Sequence, residues 1–393
     1  MKRALPHVLI CAVAFVLAPH AVAQDDHMEI AKRVLSSVPL FDGHNDLPWA
    51  IRGADAPMDV RAYDISGDAA GHTDLARLRA GQVGAQFWSV YVPSSSMEDG
   101  SAARMQLEQI DIALQVISDH REELGFAGTA ADVMRIFGEG RIASLLGMEG
   151  GHAIENSLGA LRAFYALGVR YMTLTHSANI DWADSCCGLP ELGGLSPFGE
   201  EVVREMNWLG MLVDISHVSP ESMHDALDVA EAPVIFSHSS AKALTAHPRN
   251  VPDDVLRRLP ENGGVVMVTF VEPFVNEEVR TYTGPPEDAP RATLADVVAH
   301  VEHIRDVAGI DHVAIGGDYD GIPRGPVGLE DVSTYPALFA ELSRRGWSES
   351  ELRQLAAGNM LRAMRAAEAT ARRLQAERGP STATIEQLDG PVP

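Results

Sequence analysis

The sequence predicts a (β/α)8 TIM barrel, and two observations lead to this prediction. Eight apolar runs rich in β-branched residues occur along the chain, and helix-like segments lie between most of them. Strands that alternate with helices form a parallel sheet buried on both faces, and eight such units close a barrel. An open doubly wound sheet is the alternative, but the first run continues into His-Asn-Asp-Leu-Pro and lacks the glycine-rich turn expected there.

The predicted elements alternate along most of the chain. The predicted strands are 38–46, 83–92, 142–150, 171–176, 210–217, 233–240, 263–270 and 312–320. The predicted helices are 103–120, 157–168, 197–210, 219–230 and 292–309. Several of these helices follow a Ser or Thr, whose side-chain oxygen caps the first backbone N–H groups. A final helix and a polar tail are expected over about residues 365–393.

Residues 1–23 have the three parts of a secretory signal peptide. Lys2 and Arg3 give a basic start, an apolar core follows, and Ala-Val-Ala at 21–23 fits the small-x-small cleavage pattern. No later run reaches the ~18 apolar residues of a membrane span, and the C-terminus has no hydrophobic tail of a lipid-anchor signal. We therefore expect a periplasmic protein without a membrane span or lipid anchor, in which residues 24–393 form one barrel domain.

The charge and the cysteines narrow the partners and the chemistry. The formal net charge of −24 becomes −26 when the two positive charges of Lys2 and Arg3 are removed. So acidic a surface is unsuited to nucleic acid or anionic membranes, and neither is expected as a partner. Without the leader only Cys186 and Cys187 remain, which excludes a four-cysteine zinc site. The pair is either two thiols or a strained vicinal disulfide, and strain favours the thiols.

Histidines and carboxylates end most of the predicted strands. His44 and Asp46 are two residues apart, so they share one face of the first strand. The other strand-end residues are Glu149, His176, His217, His238 and Asp318. Barrel enzymes draw their catalytic groups from several strand ends at one mouth of the barrel. Because lone buried charges are costly, this convergence predicts a metal site.

The residue types indicate the metal. Imidazoles together with carboxylates suit Zn2+, with Mn2+ or Co2+ as substitutes. The number of candidate ligands exceeds what one tetrahedral ion needs, so two ions bridged by a carboxylate and a hydroxide are expected. Glu149 is the natural bridge because its two oxygens can serve two ions.

Six motifs give the chain a resemblance to a known family. They are FDGHND, GMEGGHAIENSLGALRAFYALGVRYMTLTHSANIDWAD, LVDISHVS, PVIFSHSSAKAL, RNVPDDVL and IGGDYDG. In this order, from about residue 30 to about residue 365, they resemble the membrane (renal) dipeptidase family, zinc metallopeptidases of the amidohydrolase-like barrels. The resemblance implies two Zn2+ ions bridged by Glu149. It places His44 and Asp46 on one ion, and His217 and His238 on the other.

The resemblance also implies roles for residues that bind and convert the substrate. His176 matches the histidine that contacts substrate and steadies the oxyanion, and Arg249 matches the residue that binds the terminal carboxylate. Asp318 matches the acid–base residue, with Asp320 as the weaker candidate. Phe274 occupies a place near the substrate pocket where some members have Tyr.

The implied activity is hydrolysis of dipeptides, including those with a C-terminal D-residue, by a metal-bridging hydroxide. A side activity on β-lactams and a homodimer are also implied by the resemblance. One alternative is another barrel hydrolase, such as a lactonase or deacetylase. Those enzymes usually bridge their metals through a modified lysine at the fourth strand end, where this chain has His176. The other alternative, a non-catalytic exported binding protein, is disfavoured by the intact ligand set.

Overall fold

The computed structural model describes residues 19–391. Of the predicted leader, residues 1–18 lie outside the described part, and residues 19–23 belong to the first helix. The strands are β1 (Leu40–Asn45), β2 (Val83–Ser89), β3 (Leu124–Phe126), β4 (Ile142–Glu149), β5 (Val169–Thr173), β6 (Leu212–Asp214), β7 (Ile235–Ser239), β8 (Val265–Val268) and β9 (Val313–Ile315). The α-helices are α1 (Pro19–Ser37), α2 (Leu47–Arg52), α3 (Leu75–Ala80), α4 (Ala102–Asp119), α5 (Ala130–Gly138), α6 (Leu158–Ala166), α7 (Pro197–Leu209), α8 (Pro220–Val229), α9 (Asp253–Leu256), α10 (Leu259–Asn262), α11 (Glu272–Val275), α12 (Glu277–Thr281), α13 (Leu294–Ala308), α14 (Tyr335–Arg344), α15 (Glu349–Arg353), α16 (Asn359–Glu377) and α17 (Ile385–Leu388).

Eight of the strands close a parallel barrel. Neighbouring strands follow the order β2-β1-β9-β8-β7-β6-β5-β4, and β2 also pairs with β4, which completes the ring. Each predicted strand overlaps one barrel strand, so the predicted (β/α)8 TIM barrel is confirmed. The strands are almost entirely buried, as expected where helices cover one face and side chains fill the other.

Strand β3 was not predicted from the sequence. Its three residues pair with Ile142–Ser144 at the start of β4, whereas β5 pairs with Leu146–Glu149 at the end of β4. β3 therefore fills the part of the barrel wall that β5 leaves open. A run as short as Leu-Gly-Phe carries too little apolar pattern to be distinguished from a loop.

Serine caps set the starting points of three barrel helices. The side chains of Ser157, Ser196 and Ser219 each accept a hydrogen bond from the backbone N–H three residues later, at the starts of α6, α7 and α8. Each such cap is worth ~1 kcal/mol. The caps fix where the chain leaves each strand-end loop, and these loops carry the polar residues of the barrel mouth.

Aromatic packing connects the core of the barrel to His44. The ring centroids of Phe41 and Phe87 are 5.5 Å apart, and those of Phe87 and Tyr171 are 4.8 Å apart. All three side chains are fully buried. The hydroxyl of Tyr171 lies 2.8 Å from Nδ1 of His44, so the core directly supports a predicted site residue.

The C-terminal region packs onto the barrel. α16 begins at Asn359, earlier than the predicted start of the final helix, and α17 lies within the predicted tail. The carboxylate of Asp389 accepts hydrogen bonds from the Ser196 hydroxyl and the Phe198 backbone N–H at the start of α7. Over residues 19–391, none of the helices has the length and apolar character needed to cross a bilayer.

Candidate metal centre

The predicted strand-end residues meet at the C-terminal mouth of the barrel. His44 lies in β1 and Asp46 just after it, Glu149 is the last residue of β4, and His238 lies in β7. The other three lie a few residues past the ends of β5, β6 and β9, and they are His176, His217 and Asp318. The structure therefore brings together all seven residues that the strand-end pattern selected.

Glu149 occupies the centre of this cluster. Its Oε1 lies 3.0 Å from Nε2 of His217 and 3.2 Å from Nε2 of His238. Its Oε2 lies 3.5 Å from Nε2 of His44. Nε2 of His176 is further from Oε1, at 3.8 Å. The two carboxylate oxygens therefore face different sets of imidazoles, as a bridging carboxylate would.

Two further carboxylates lie beside His44. Nε2 of His44 is 3.2 Å from Oδ2 of Asp46 and 4.0 Å from Oδ1 of Asp318. Gly321 closes this side of the cluster, because a Cβ at that position would lie 2.2 Å from Oδ2 of Asp46 and 2.6 Å from Oδ1 of Asp318. Glycine is therefore required there to leave room for both carboxylates.

Hydrogen bonds behind His44 fix which nitrogen faces the cluster. Nδ1 of His44 is 2.8 Å from the hydroxyl oxygen of Tyr171, and that hydroxyl donates to the carbonyl oxygen of Gly43 at 3.3 Å. Since the hydroxyl proton goes to Gly43, Nδ1–H of His44 donates to Tyr171. In the neutral ring Nε2 of His44 then carries the lone pair that binds a metal. Burial lowers the pKa of His44, but Tyr171, Glu149 and Asp46 raise it well above its usual value, so a metal that binds Nε2 displaces a proton.

A similar chain of hydrogen bonds orients His238. Its Nδ1 is 2.8 Å from Oγ of Ser237, and the Ser237 hydroxyl donates to the carboxylate of Asp214 at 2.6 Å. Nδ1–H of His238 therefore donates to Ser237, which leaves the lone pair on Nε2. Asp214 is held in turn by the Thr173 hydroxyl at 2.5 Å and by the backbone N–H of Ser216.

These ligand atoms fit a cation. Nε2 of His217 and Nε2 of His238 are 2.9 Å apart, and with Oε1 of Glu149 they form a triangle of 2.9, 3.0 and 3.2 Å. In a tetrahedral zinc site with bonds near 2.1 Å, neighbouring ligand atoms are about 3.4 Å apart. The lone pair on Nε2 of His238 and Oε1 of Glu149 face the same space, where a positive charge would offset their repulsion. The donor set therefore suits a divalent metal.

The protonation states favour metal binding. Burial lowers the pKa of His217 and His238 well below the usual value, so these imidazoles are neutral near pH 7. Burial raises the pKa of Glu149, but the positive charge of His44 and the contacts with the other three imidazoles lower it well below its usual value. Neutral imidazoles and an ionised carboxylate are the forms that coordinate metals.

The pKa of Asp318 is shifted in the opposite direction from that of Glu149. Burial raises the pKa of this carboxyl well above its usual range, and the charges of Asp46 and Glu149 raise it further. Its backbone is left-handed, with φ of +66°, and that of His217 is similar, with φ of +69°. Non-glycine residues adopt this conformation at a cost, and such residues concentrate at functional sites.

Arg249 lies beside the cluster, in the segment between β7 and α9. The side chain is buried, and its Nη2 donates to the carbonyl oxygen of His238 at 3.0 Å while Nη1 donates to Oγ of Ser239 at 3.2 Å. Its guanidinium carbon is 5.5 Å from the ring centroid of Phe274, which stacks on His247 at 4.1 Å. Phe274 thus lies next to Arg249.

With this geometry established, comparison with known proteins identifies the family. The model of the membrane dipeptidase family, peptidase family M19, matches residues 28–378. The chain belongs to this family. The resemblance seen in the sequence is confirmed, and so is the prediction that the protein is a metallodipeptidase.

Individual relatives agree with the membrane dipeptidase assignment. Dipeptidase verJ of Clonostachys rogersoniana is 44% identical over 350 residues, which are 86% of this chain and 87% of that protein. A Rhodobacter sphaeroides metallopeptidase, solved with a phosphinate mimic of the dipeptide L-Ala-D-Ala, is 27% identical with a TM-score of 0.73, over 84% of this chain and 99% of its own. The crystal structure of dipeptidase AC, of family M19, is 28% identical with a TM-score of 0.75, over 84% of this chain and 98% of its own.

The residues that orient the imidazoles were not predicted from the sequence. Asp214 had the same signal as the other candidates, because it is a carboxylate at the end of an apolar run. Ser237 and Tyr171 had no such signal, since hydroxyl-bearing residues are ordinary in strands. Only the three-dimensional contacts show that they support His238 and His44.

Removing the Tyr171 hydroxyl should weaken metal binding by ~10- to 100-fold, the usual effect of losing a group that orients a metal ligand. Tyr171→Phe keeps the buried ring against Phe87 but leaves Nδ1 of His44 without its acceptor. Competition with a chromogenic chelator measures the affinity. The free energy of unfolding of the metal-free protein is the control, and a change confined to that quantity would show that Tyr171 acts only in packing.

Proposed function

We propose that this membrane dipeptidase family member hydrolyses dipeptides, including those with a C-terminal D-residue, using two Zn2+ ions bridged by Glu149. The observation that carries the proposal is the placement of Glu149, whose two oxygens face separate sets of imidazoles. The Rhodobacter relative, liganded with a mimic of L-Ala-D-Ala, supports the stereochemical part.

The proposed ligands fall into two groups that share Glu149. His44 and Asp46 complete one group, and His217 and His238 complete the other. When bound, the zinc ions would acidify a water molecule and polarise the peptide carbonyl. The hydrogen bonds from His44 to Tyr171 and from His238 to Ser237 keep both Nε2 atoms directed at the space beside the carboxylate of Glu149.

His176 is the proposed donor to the oxygen of the scissile carbonyl. Its ring is half-buried and packs between the rings of Tyr91 and His217, with centroid distances of 4.7 and 4.3 Å. Burial lowers the pKa of His176, so the imidazole is neutral and retains one N–H to donate. A donor aimed at developing negative charge is worth roughly 3 kcal/mol in other hydrolases.

Asp318 is the proposed proton carrier. Its carboxyl lies at the edge of the ligand cluster, 4.0 Å from Nε2 of His44. From there it can take a proton from the attacking water and deliver it to the leaving amine. This transfer needs a carboxyl that holds a proton readily, as the environment of Asp318 favours.

Arg249 is the proposed anchor for the free carboxylate of the substrate. A guanidinium has five N–H donors, of which the contacts to Ser239 and His238 occupy two. The remaining donors can form a charge-assisted pair with a carboxylate. Because Arg249 also contacts the backbone of a proposed metal ligand, the anchor is fixed relative to the metals, which limits the substrate to two residues.

Replacing Arg249 by Lys should raise KM for dipeptides by ~10- to 100-fold with a small change in kcat, because the charge is kept while the paired donors are lost. Steady-state kinetics on L-Ala-L-Ala and on its C-terminal amide measure this. The amide has no carboxylate, so the variant and the parent should turn it over with similar efficiency. An unchanged KM for the free dipeptide would exclude Arg249 as the anchor.

The function as a whole is tested with a substrate panel. L,L-, L,D- and D,D-dipeptides, one tripeptide and one β-lactam are assayed with and without a chelator, followed by restoration with Zn2+, Mn2+ or Co2+. We expect chelator-sensitive cleavage of L,L- and L,D-dipeptides, restoration by Zn2+, and slower opening of the β-lactam. Cleavage that resists the chelator, or a preference for the tripeptide, would overturn the proposal.

We also propose that the protein is exported to the periplasm and acts as a homodimer. The signal-like residues 1–23 support export, and the family resemblance supports the dimer. N-terminal sequencing of the protein from a periplasmic fraction tests the first proposal, and light scattering tests the second. A retained Met1 or a monomeric mass would contradict them.

A further inference from the structure

Two adjacent thiols lie in the loop between β5 and α7, beside the membrane dipeptidase site. Sγ of Cys186 and Sγ of Cys187 are 2.9 Å apart, and both cysteines are free. Cys186 is half-buried and Cys187 is exposed. Neither thiol has a role in the proposed hydrolysis, and a pair of thiols at this distance is a candidate for chemistry of its own.

The backbone around the thiols holds two histidines of the site. The N–H of Cys186 donates to the carbonyl oxygen of His217 at 2.7 Å. The hydroxyl of Ser185 donates to the carbonyl oxygen of His176 at 2.6 Å, and the N–H of Cys187 donates to Oγ of Ser185 at 3.2 Å. Three consecutive residues of the loop are thus bonded, directly or through one another, to the main chain of His176 and His217.

Hydrogen bonds to Asp184 hold the rest of the loop in place. The carboxylate of Asp184 accepts hydrogen bonds from the backbone N–H groups of Glu191, Leu192 and Gly193, with the shortest at 2.7 Å. These bonds close the loop at a point next to the thiols. Because the rest of the loop is held in place, a displacement of the peptide between Cys186 and Cys187 should also displace Ser185 and the backbone of His217.

A disulfide between these residues would change that peptide. The Cα atoms of adjacent residues are about 3.8 Å apart, whereas disulfide-bonded residues usually have Cα atoms about 4.4–6.8 Å apart. The peptide that joins the two residues fixes this distance, so ring closure strains that peptide and displaces its N–H, which belongs to Cys187, from its acceptor Oγ of Ser185. The Ser185 hydroxyl contacts the carbonyl oxygens of His176 and His217, and His217 already has a left-handed φ of +69° that depends on its surroundings.

We propose that Cys186 and Cys187 form a reversible disulfide that lowers the activity of the enzyme, with small-molecule disulfides as the oxidant. The exposed Cys187 thiolate attacks one sulfur of RSSR, forming a mixed disulfide and releasing RS⁻. Cys186 then loses its proton and attacks Sγ of Cys187, which releases the second RS⁻. The protein loses two electrons and two protons, and RSSR becomes two RSH.

Two properties support this sequence of steps. Cys187 is exposed whereas Cys186 is half-buried, so an oxidant reaches Cys187 first, and the hydrogen bond from Cys186 lowers the pKa of Cys187 to about 7. The exposed sulfur is therefore also the better source of thiolate. Strained disulfides are the more easily reduced ones, so the bond should reopen with a thiol reductant.

The test uses full-length metal-loaded protein with Cys11→Ser, so that the pair contains the only cysteines. The protein is equilibrated with mixtures of reduced and oxidised glutathione and is then divided for intact-mass measurement and for dipeptide hydrolysis. We expect loss of two hydrogens without a glutathione adduct and a fall in kcat of ~10-fold, since small displacements of catalytic groups have effects of this size. Dithiothreitol should restore both mass and activity.

Two variants separate this proposal from the proposed function. With Cys186→Ser, Cys187 should keep a stable glutathione adduct, because no second thiol can displace it. With both cysteines changed to Ser, activity should be retained and should not respond to oxidised glutathione. Thiols that persist under oxidising conditions, adducts on both cysteines, or ring closure at full activity would each overturn the proposal. The mass readout is valid even if dipeptides prove not to be the substrate.

Discussion

Glu149→Gln should abolish dipeptide hydrolysis and release metal, the largest combined effect expected for one substitution in this protein. The amide keeps the size of the side chain but removes the charge that faces His44, His217 and His238. Metal-based charge stabilisation is worth several kcal/mol, so kcat should fall by about 1000-fold or more. Metal content by mass spectrometry and steady-state kinetics measure the two effects.

Glu205 offers a matched control for the loss of a buried carboxylate. It is fully buried on α7, outside the cluster of candidate ligands, and its oxygens accept from Arg162 and from the backbone N–H of Ser381. Glu205→Gln should lower the free energy of unfolding but leave metal content and turnover near those of the parent. If Glu149→Gln retained the metal content and turnover of the parent, the proposed bridging role would be excluded.

Much of this site was predictable because strand periodicity and barrel topology act together. His44 and Asp46 share a face through the two-residue repeat of a strand, and a closed parallel sheet brings the end of β4 near the end of β7. Glu149 and His238 could therefore be placed together although 89 positions separate them in the chain. No knowledge of the loops was needed for these residues.

The loops themselves were less predictable. His217 and Asp318 lie past their strands in left-handed conformations that no apolar pattern encodes. Arg249 follows β7 in an irregular segment, and only the family resemblance selected it. Its burial against Ser239 and Phe274 depends on tertiary packing, which a charged residue in a loop does not reveal in sequence.

The residues that orient the imidazoles show a further limit to predicting the site from the sequence. Ser237 and Tyr171 act by accepting one hydrogen bond and donating another, and this directionality decides which nitrogen of His238 or His44 has the lone pair. A sequence gives residue types but not the direction of a hydrogen-bond chain. The candidate ligands were therefore accessible from the strand-end pattern, whereas their tautomers were not.

Asp318→Asn should lower kcat by ~100- to 10,000-fold while the metal content stays that of the parent, because it removes the proposed proton carrier and leaves the proposed ligands in place. Asparagine tolerates the left-handed backbone of this position, where φ is +66°, so the loop should keep its conformation. Its side chain also has nearly the same size, which matters beside Gly321. Kinetics and metal analysis on the same preparation measure the result.

Asp320 provides the matched control for Asp318. It is another aspartate in a left-handed conformation, with φ of +64°, and its Oδ1 accepts from the backbone N–H of His72 at 2.6 Å. An asparagine there can still accept that bond, so Asp320→Asn should retain most of its turnover. Near-normal turnover of Asp318→Asn would require a different proton carrier. Loss of metal from Asp318→Asn would instead make Asp318 a ligand, in the group that it forms with His44 and Asp46.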